Sequence, residues 1–190
     1  MKRVRNPKDK QEKIIAAAKR ILRDGGYFTN FSLAKVAKEA GVSKGGLLHH
    51  FPTKEALLRG VAQDTISRFE SGLAEKRAEQ AEPNQPGSFT RAYVEFVLGE
   101  GQEPLPDVSP VLLAFLRSNE NNASIQTRFA YWQEQTEQDG LDVATATLIR
   151  LAIDGLIYTE VIDDTPISHE LRQQMRQRLL QLIDEAIVQE

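Results

Sequence analysis

The chain predicts an all-α fold of about nine helices, an N-terminal three-helix helix-turn-helix domain followed by a larger C-terminal helical domain. Three observations carry this. Apolar residues recur at three- and four-residue spacing through most of the sequence, the period of a helix with one buried face. Glycine, proline and Asn/Asp clusters interrupt that pattern, while no alternating strand pattern, internal repeat or low-complexity segment occurs. Residues 31–57, FSLAKVAKEAGVSKGGLLHHFPTKEAL, compress two short helices and the start of a third around a glycine-hinged turn.

Taken in order, the first helix runs from about Asp9 to Arg23, with Ile14, Ala17, Ala18, Ile21 and Leu22 facing inward and Gly25-Gly26 ending it. Ser32 caps a second helix whose inward residues are Leu33, Val36, Ala37 and Ala40. Gly41 closes it, Val42 plugs the corner, and Ser43 caps a third helix ending near His50. Phe51-Pro52 stops that helix, and Thr53 caps a long fourth one reaching about Arg77. AEPNQPGS (81–88) is the clearest loop; a fifth helix follows to Leu98, and GEGQEPLPD (99–107) is a second break. Ser109-Pro110 opens a helix to about Arg117. Helices over Ile125–Gln138, Asp142–Val161 and Ser168–Val188 complete the set, and the domain boundary is placed between residues 52 and 53.

The last two helices predict assembly. Apolar residues cover nearly the whole circumference of 142–161, and a helix apolar all round must be buried all round. The terminal helix carries its own apolar stripe. Leu148, Leu151, Ala152 and Leu156, with Met175, Leu179, Leu182, Ile183 and Ala186, are therefore expected at a four-helix interface of an isologous homodimer. Burial of both helices within one chain is the plainer alternative.

Composition narrows the function. There is no cysteine, which removes disulfides, thiolate catalysis and Cys-based zinc sites. No apolar run reaches the ~18 residues that a membrane span needs, and the basic start MKRVRNPKDK lacks the apolar stretch of a signal peptide, so the expected location is the cytoplasm. The net charge of −3 averages two unlike parts: residues 1–52 hold 12 Lys/Arg against 4 Asp/Glu, a balance of +8, and the rest balances at −11. A basic quarter on an acidic body suits polyanion binding at one end. No Walker loop, nucleophile elbow or paired-carboxylate motif is present, so no enzyme and no cofactor are expected. His49 and His50, ~100° apart on a helix, do not readily share one metal.

The third helix carries the sharpest signal. At 100° per residue, Leu47, His50 and Phe51 fall on one arc, and Gly45, Gly46, Leu48 and His49 on the other, with Lys44 at the edge. Two glycines inside a short helix cost about 1 kcal/mol each relative to alanine. Close approach of the backbone to DNA supplies a reason for that cost. Lys44 can donate to guanine or phosphate, His49 to phosphate or a base edge, and Leu48 can meet a thymine methyl or the sugar backbone. Ser32 and Ser43, and Thr53 with Lys54, sit at helix N-termini that suit phosphate. Lys2, Arg3 and Arg5 either track the minor groove or form a solvated tail.

Residues 14–58 resemble the tetracycline-repressor (TetR) family of bacterial regulators. The resemblance rests on Ile14–Ala18, Gly25-Gly26, Ser32-Leu33, Val36-Ala37, Ala40–Gly45, Leu47, His50-Phe51 and Lys54–Leu57. It implies DNA approach by Ser32, Lys44, Gly45, Leu48, His49, His50 and Lys54. It also implies a C-terminal domain for dimerisation and effector binding. The family usually has tyrosine at the position of Leu48, so a phosphate hydrogen bond is lost there and weight shifts to His49 and Lys44. The implied ligand cavity is expected to gather Tyr93, Phe96, Phe115, Phe129, Trp132 and Tyr158, although ordinary core packing explains each aromatic taken singly. Glu95, Arg117 and Asp154 are polar groups set in apolar helices, and Glu95 with Asp154 would favour a cationic effector.

The expected protein is thus a homodimeric DNA-binding regulator, a repressor released from a near-palindromic operator by a small molecule. A helical interaction module without DNA binding is the alternative, separated from the first by whether Lys44 and His49 are needed to hold duplex DNA.

Overall fold

The computed structural model describes residues 7–23, 31–99, 123–162 and 167–187, and they form eight helices: α1 (Pro7–Ile21), α2 (Leu33–Glu39), α3 (Lys44–His50), α4 (Lys54–Ala78), α5 (Ser88–Leu98), α6 (Ala123–Glu137), α7 (Val143–Ile162) and α8 (His169–Glu185). Among the described residues there is no strand, only a single bridge between Leu141 and Ile187. The expected helix over Ser109–Arg117, with Phe115 and Arg117, lies outside the described residues, as do Gly25-Gly26 and the basic arm.

The chain divides into two compact units, one running to Ser67 and the other starting at Arg68. In the first, Ile14, Ala17 and Ala18 of α1, Val36 of α2, Leu47 of α3 and Leu57, Val61 and Ala62 of α4 are all buried. The first turns of α4 belong here for two reasons visible in the packing. Lys19 of α1 is buried and reaches Asp64 at 2.8 Å. The Phe51 ring lies over Gly60, where a Cβ would stand 2.6 Å from the ring.

In the second unit α5 is the hub, packed against α7 and α8, with α6 lying against α7. Its residues Phe89, Ala92, Tyr93, Val94, Val97 and Leu98 are buried together with Ile149, Ile153 and Leu156 of α7 and Ile183 of α8. A helix start this deep needs acceptors for its free N–H groups. Its N-cap is Gly87, in the left-handed conformation at φ 81° with no side chain to offer. Asp139, in the turn after α6, supplies the acceptors, taking hydrogen bonds from Phe89 N at 2.9 Å and Thr90 N at 2.7 Å. Around this core, Arg176 of α8 donates twice to the Glu95 carboxylate, at 2.9 and 2.8 Å, and Arg172 donates to the Val97 carbonyl at 3.0 Å.

Asp139 is buried, so its removal leaves the Phe89 and Thr90 amides without their acceptor. Asp139→Ala is expected to cost about 2–4 kcal/mol, read as a lower urea midpoint; an unchanged midpoint would show that the cap is replaceable.

Candidate functional site

The exposed face of α3 is set by the two turns that bracket it. α2 begins at Ser32, whose Oγ accepts from Lys35 N at 3.2 Å. It ends at Gly41, with φ 65°, where Val42 N reaches back to the Ala37 carbonyl at 3.0 Å and Gly41 N to that of Lys38 at 3.2 Å. This double return bond needs a residue at ease in the left-handed region, hence glycine. Ser43 then caps α3, its Oγ accepting from Gly46 N at 3.0 Å, and Thr53 caps α4, accepting from Ala56 N at 3.0 Å. Each hydroxyl spends a lone pair on its cap and keeps its O–H to donate.

With both ends fixed, Leu47 and Phe51 are driven into the core and the opposite side of α3 turns outward. Lys44, Gly45 and His49 are exposed, while Gly46, Leu48 and His50 are half-buried. A Cβ built on Gly45 meets nothing within 4 Å, so nothing among the described residues demands glycine there. At Gly46 a Cβ would meet Ser43 Oγ at 3.1 Å, which gives that glycine a partial internal reason. The His49 and His50 rings meet edge-on with centroids 5.4 Å apart. Lys54 sits with its ammonium 5.3 Å from the Phe31 ring centroid, partly withdrawn from solvent. Among the described residues, no group of three or more His, Asp or Glu is placed to hold a metal ion.

The second unit distributes the expected pocket residues differently. Tyr93 donates to Asp154 at 2.6 Å, and Arg150 bridges Asp154 at 2.7 Å to Gln133 at 2.7 Å. Burial raises the Asp154 carboxyl above the ordinary aspartate range, against the pull of Tyr93 and Arg150, and burial likewise pushes the Tyr93 hydroxyl well up. Glu95 and Asp154 therefore each have an arginine already, Arg176 for the one and Arg150 for the other. Phe96 packs edge-on against Phe69 at 5.1 Å, Phe129 against Trp132 at 5.1 Å, and Tyr158 is 46% exposed.

A cleft of about 290 Å³ instead opens beside the last turns of α4, lined by Glu70, Arg77, Phe89, Arg128, Tyr131 and Trp132 among others. Of the residues expected around a ligand, Trp132 is the one that lines it. Glu70 and Arg128 escaped the sequence reading because charged residues on amphipathic helices look like ordinary solvated faces; only their mutual placement, 3.2 Å apart, marks them.

The expected interface residues also separate into two sets. Leu148 and Leu151 are 67% and 51% exposed, Ala152 lies beside them, and Met175, Leu182 and Ala186 are half-buried. Leu156, Leu179 and Ile183 are buried within the chain's own core, so they offer little surface to a partner. The all-round apolar character of α7 thus resolves into an inward face through Ala146, Ile149, Ile153 and Leu156 and an outward one.

Comparison with known proteins places both units. Residues 14–61 match the family of bacterial regulatory proteins described as the tetR family, and residues 87–184 match the tetracyclin repressor-like C-terminal domain. The chain is 54% identical over 48 residues to the HTH-type transcriptional regulator CymR of Pseudomonas putida, a match covering 25% of this chain and 23% of that protein. It is 25% identical over 177 residues to the HTH-type transcriptional regulator LmrA of Bacillus subtilis, covering 85% of this chain and 92% of that one. The fold superposes on the multidrug binding protein EbrR complexed with ethidium with a TM-score of 0.60, at 22% identity over 90% of this chain and 98% of the other.

The open space over Gly45 yields a test in which stability and binding move in opposite directions. Gly45→Ala is expected to stabilise the fold by up to about 1 kcal/mol, seen as a raised melting temperature. It should weaken retention on duplex DNA by about tenfold, or ~1.4 kcal/mol. Unaltered retention would mean that no partner backbone or base edge approaches this point.

Proposed function

We propose that this chain, which belongs to the tetR family of bacterial regulatory proteins and is a DNA-binding transcriptional regulator, acts in the cytoplasm as a homodimeric repressor. Residues 1–52, with the first turns of α4 packed against them, supply its DNA-binding domain, and the rest of 53–190 its effector-binding and dimerisation domain. The observation that carries the reading is the outward face of α3: capped, backed by Leu47, carrying Lys44 and His49, and bare at Gly45. Such a face fits the major groove, where Lys44 donates to guanine or phosphate and His49 to a base edge or phosphate. The hydroxyls of Ser32, Ser43 and Thr53 and the free N–H groups at their helix starts take flanking phosphates, with Gly46, Leu48, His50 and Lys54 completing the contact surface.

Dimerisation is supported by the outward face of α7. Leu148, Leu151, Ala152 and Gly155 recur at helical spacing, all exposed, and a Cβ on Gly155 meets nothing within 4 Å. Met175 and Leu182 of α8 add half-buried apolar surface. An isologous pair through this face presents two copies of α3 to a near-palindromic operator, with centres ~34–36 Å apart or a multiple of that.

Release by a small molecule follows from the place of α4. This one helix of 25 residues starts at Lys54, next to the Thr53 cap, and ends with the wall of the cleft at Glu70–Arg77. A ligand wedged against that wall shifts α4, alters the spacing of the two α3 helices and weakens operator binding, a coupling of about 1–3 kcal/mol between the two sites. The ethidium held by EbrR supports a ligand-responsive role for this fold. No helix among the described residues is long and apolar enough to cross a membrane.

Two variants test the assignment of the faces. Lys44→Ala with His49→Ala is expected to abolish retention on duplex DNA while sedimentation still reports a dimer. Leu148→Glu with Leu151→Glu should give a folded monomer that holds DNA at least ~100-fold more weakly, since two half-sites then bind without linkage. A DNA-binding monomer of full affinity, or full binding without Lys44 and His49, contradicts the proposal.

A further inference from the structure

The lining of the cleft beside α4 indicates the class of molecule it takes. Trp132 is the only tryptophan of the chain, and it is 6% exposed. Its indole is held between the Phe69 ring at 5.2 Å and the Phe129 ring at 5.1 Å, so its direction is fixed by packing. Its Nε1–H is buried and has no hydrogen-bond partner among the described residues. A buried donor left unpaired costs about 1–3 kcal/mol, and a ligand acceptor would recover that loss.

The other polar groups of the cleft are mostly donors too. Arg128 and Arg77 carry positive charge and Gln135 an amide, against the single carboxylate of Glu70. Glu70 already faces the Arg128 guanidinium at 3.2 Å, and Arg77 is anchored through Nε to the Pro83 carbonyl at 2.9 Å and Ser88 Oγ at 3.1 Å. The ionised side chains thus sum to one positive charge. Phe89, Tyr131, Trp132 and Leu73 supply apolar and aromatic walls. At about 290 Å³, the space lies at the lower end of the ~300–1,000 Å³ range of small-molecule sites.

We propose that this cleft binds a small aromatic monoanion, an aryl carboxylate whose ring lies against the aromatic walls and whose carboxylate accepts from the exposed Arg128 guanidinium and, once the wall around it shifts to uncover it, from Trp132 Nε1. The incoming carboxylate takes Arg128 from Glu70, so binding breaks a contact made directly to α4. This deepens the regulator reading, on which its biological meaning rests, by naming the effector class; the ligand site itself does not depend on DNA.

Because Trp132 is the sole tryptophan, its emission reports binding in the intact protein. The titration uses benzoate, with benzamide and benzamidinium as neutral and cationic isosteres. Benzoate is expected to change the emission saturably in the millimolar range or below, with benzamide about tenfold weaker and benzamidinium silent. Arg128→Gln, at a position whose side chain is 51% exposed, should weaken benzoate about tenfold or more without lowering the melting temperature. Glu70→Gln should tighten it by removing the competing carboxylate. Trp132→Phe, followed by calorimetry, should weaken it while keeping the wall. Equal or tighter binding of benzamidinium or benzamide, no saturation by benzoate, or indifference to Arg128→Gln would each overturn the proposal. Retention on duplex DNA without ligand is measured in parallel. Retained DNA with no benzoate binding sinks the effector class alone, whereas lost DNA binding with benzoate bound sinks the regulator reading alone.

Discussion

The turn at Gly41 sets where α3 can point, and most of the functional surface depends on that direction. Two backbone bonds returning from Gly41 and Val42 close α2 in a geometry that holds the chain at φ 65°. Two residues later Ser43 starts α3 by capping it. Between these fixed points there is no slack, so the one strongly apolar arc of α3, through Leu47, must turn inward. Its glycine-bearing arc is thereby committed to the outside. The same logic explains why a short helix with poor propensity persists: its order comes from caps and from Leu47, not from its own hydrogen bonds.

The second unit depends on buried polar pairing of longer reach. Asp139 completes the start of α5, Arg176 neutralises Glu95, and Tyr93 with Arg150 satisfies Asp154. Each pairing fixes one helix against another, because an unpaired group in these places would face a desolvation cost with nothing to offset it. Among the described residues the outward face of α7 is apolar and exposed, and the Trp132 cleft is lined mostly by hydrogen-bond donors.

What the sequence made legible follows the range of the interactions. The caps at Ser32, Ser43 and Thr53, the turn at Gly41 and the inward placement of Leu47 are settled within a few residues, and local spacing was enough to read them. Asp139 carries no local sign of its role, since the amides it serves lie 49 and 50 residues away. Glu95 looked like an unpaired charge because its arginine comes 81 residues later. Nothing local marks Lys19 as buried; its partner Asp64 comes from a different helix. The circumference of α7 and the stripe of α8 signalled burial without saying by what: Leu156 of α7 and Leu179 and Ile183 of α8 are buried against their own chain.

The central claim, that the exposed arc of α3 enters duplex DNA, is tested most directly by amide chemical shifts recorded as a half-site duplex is added. The account predicts the largest changes at Lys44, Gly45, Gly46 and His49, with smaller ones at the Ser32 and Thr53 helix starts and none along α7. Saturable DNA binding that leaves the α3 amides unmoved would contradict it.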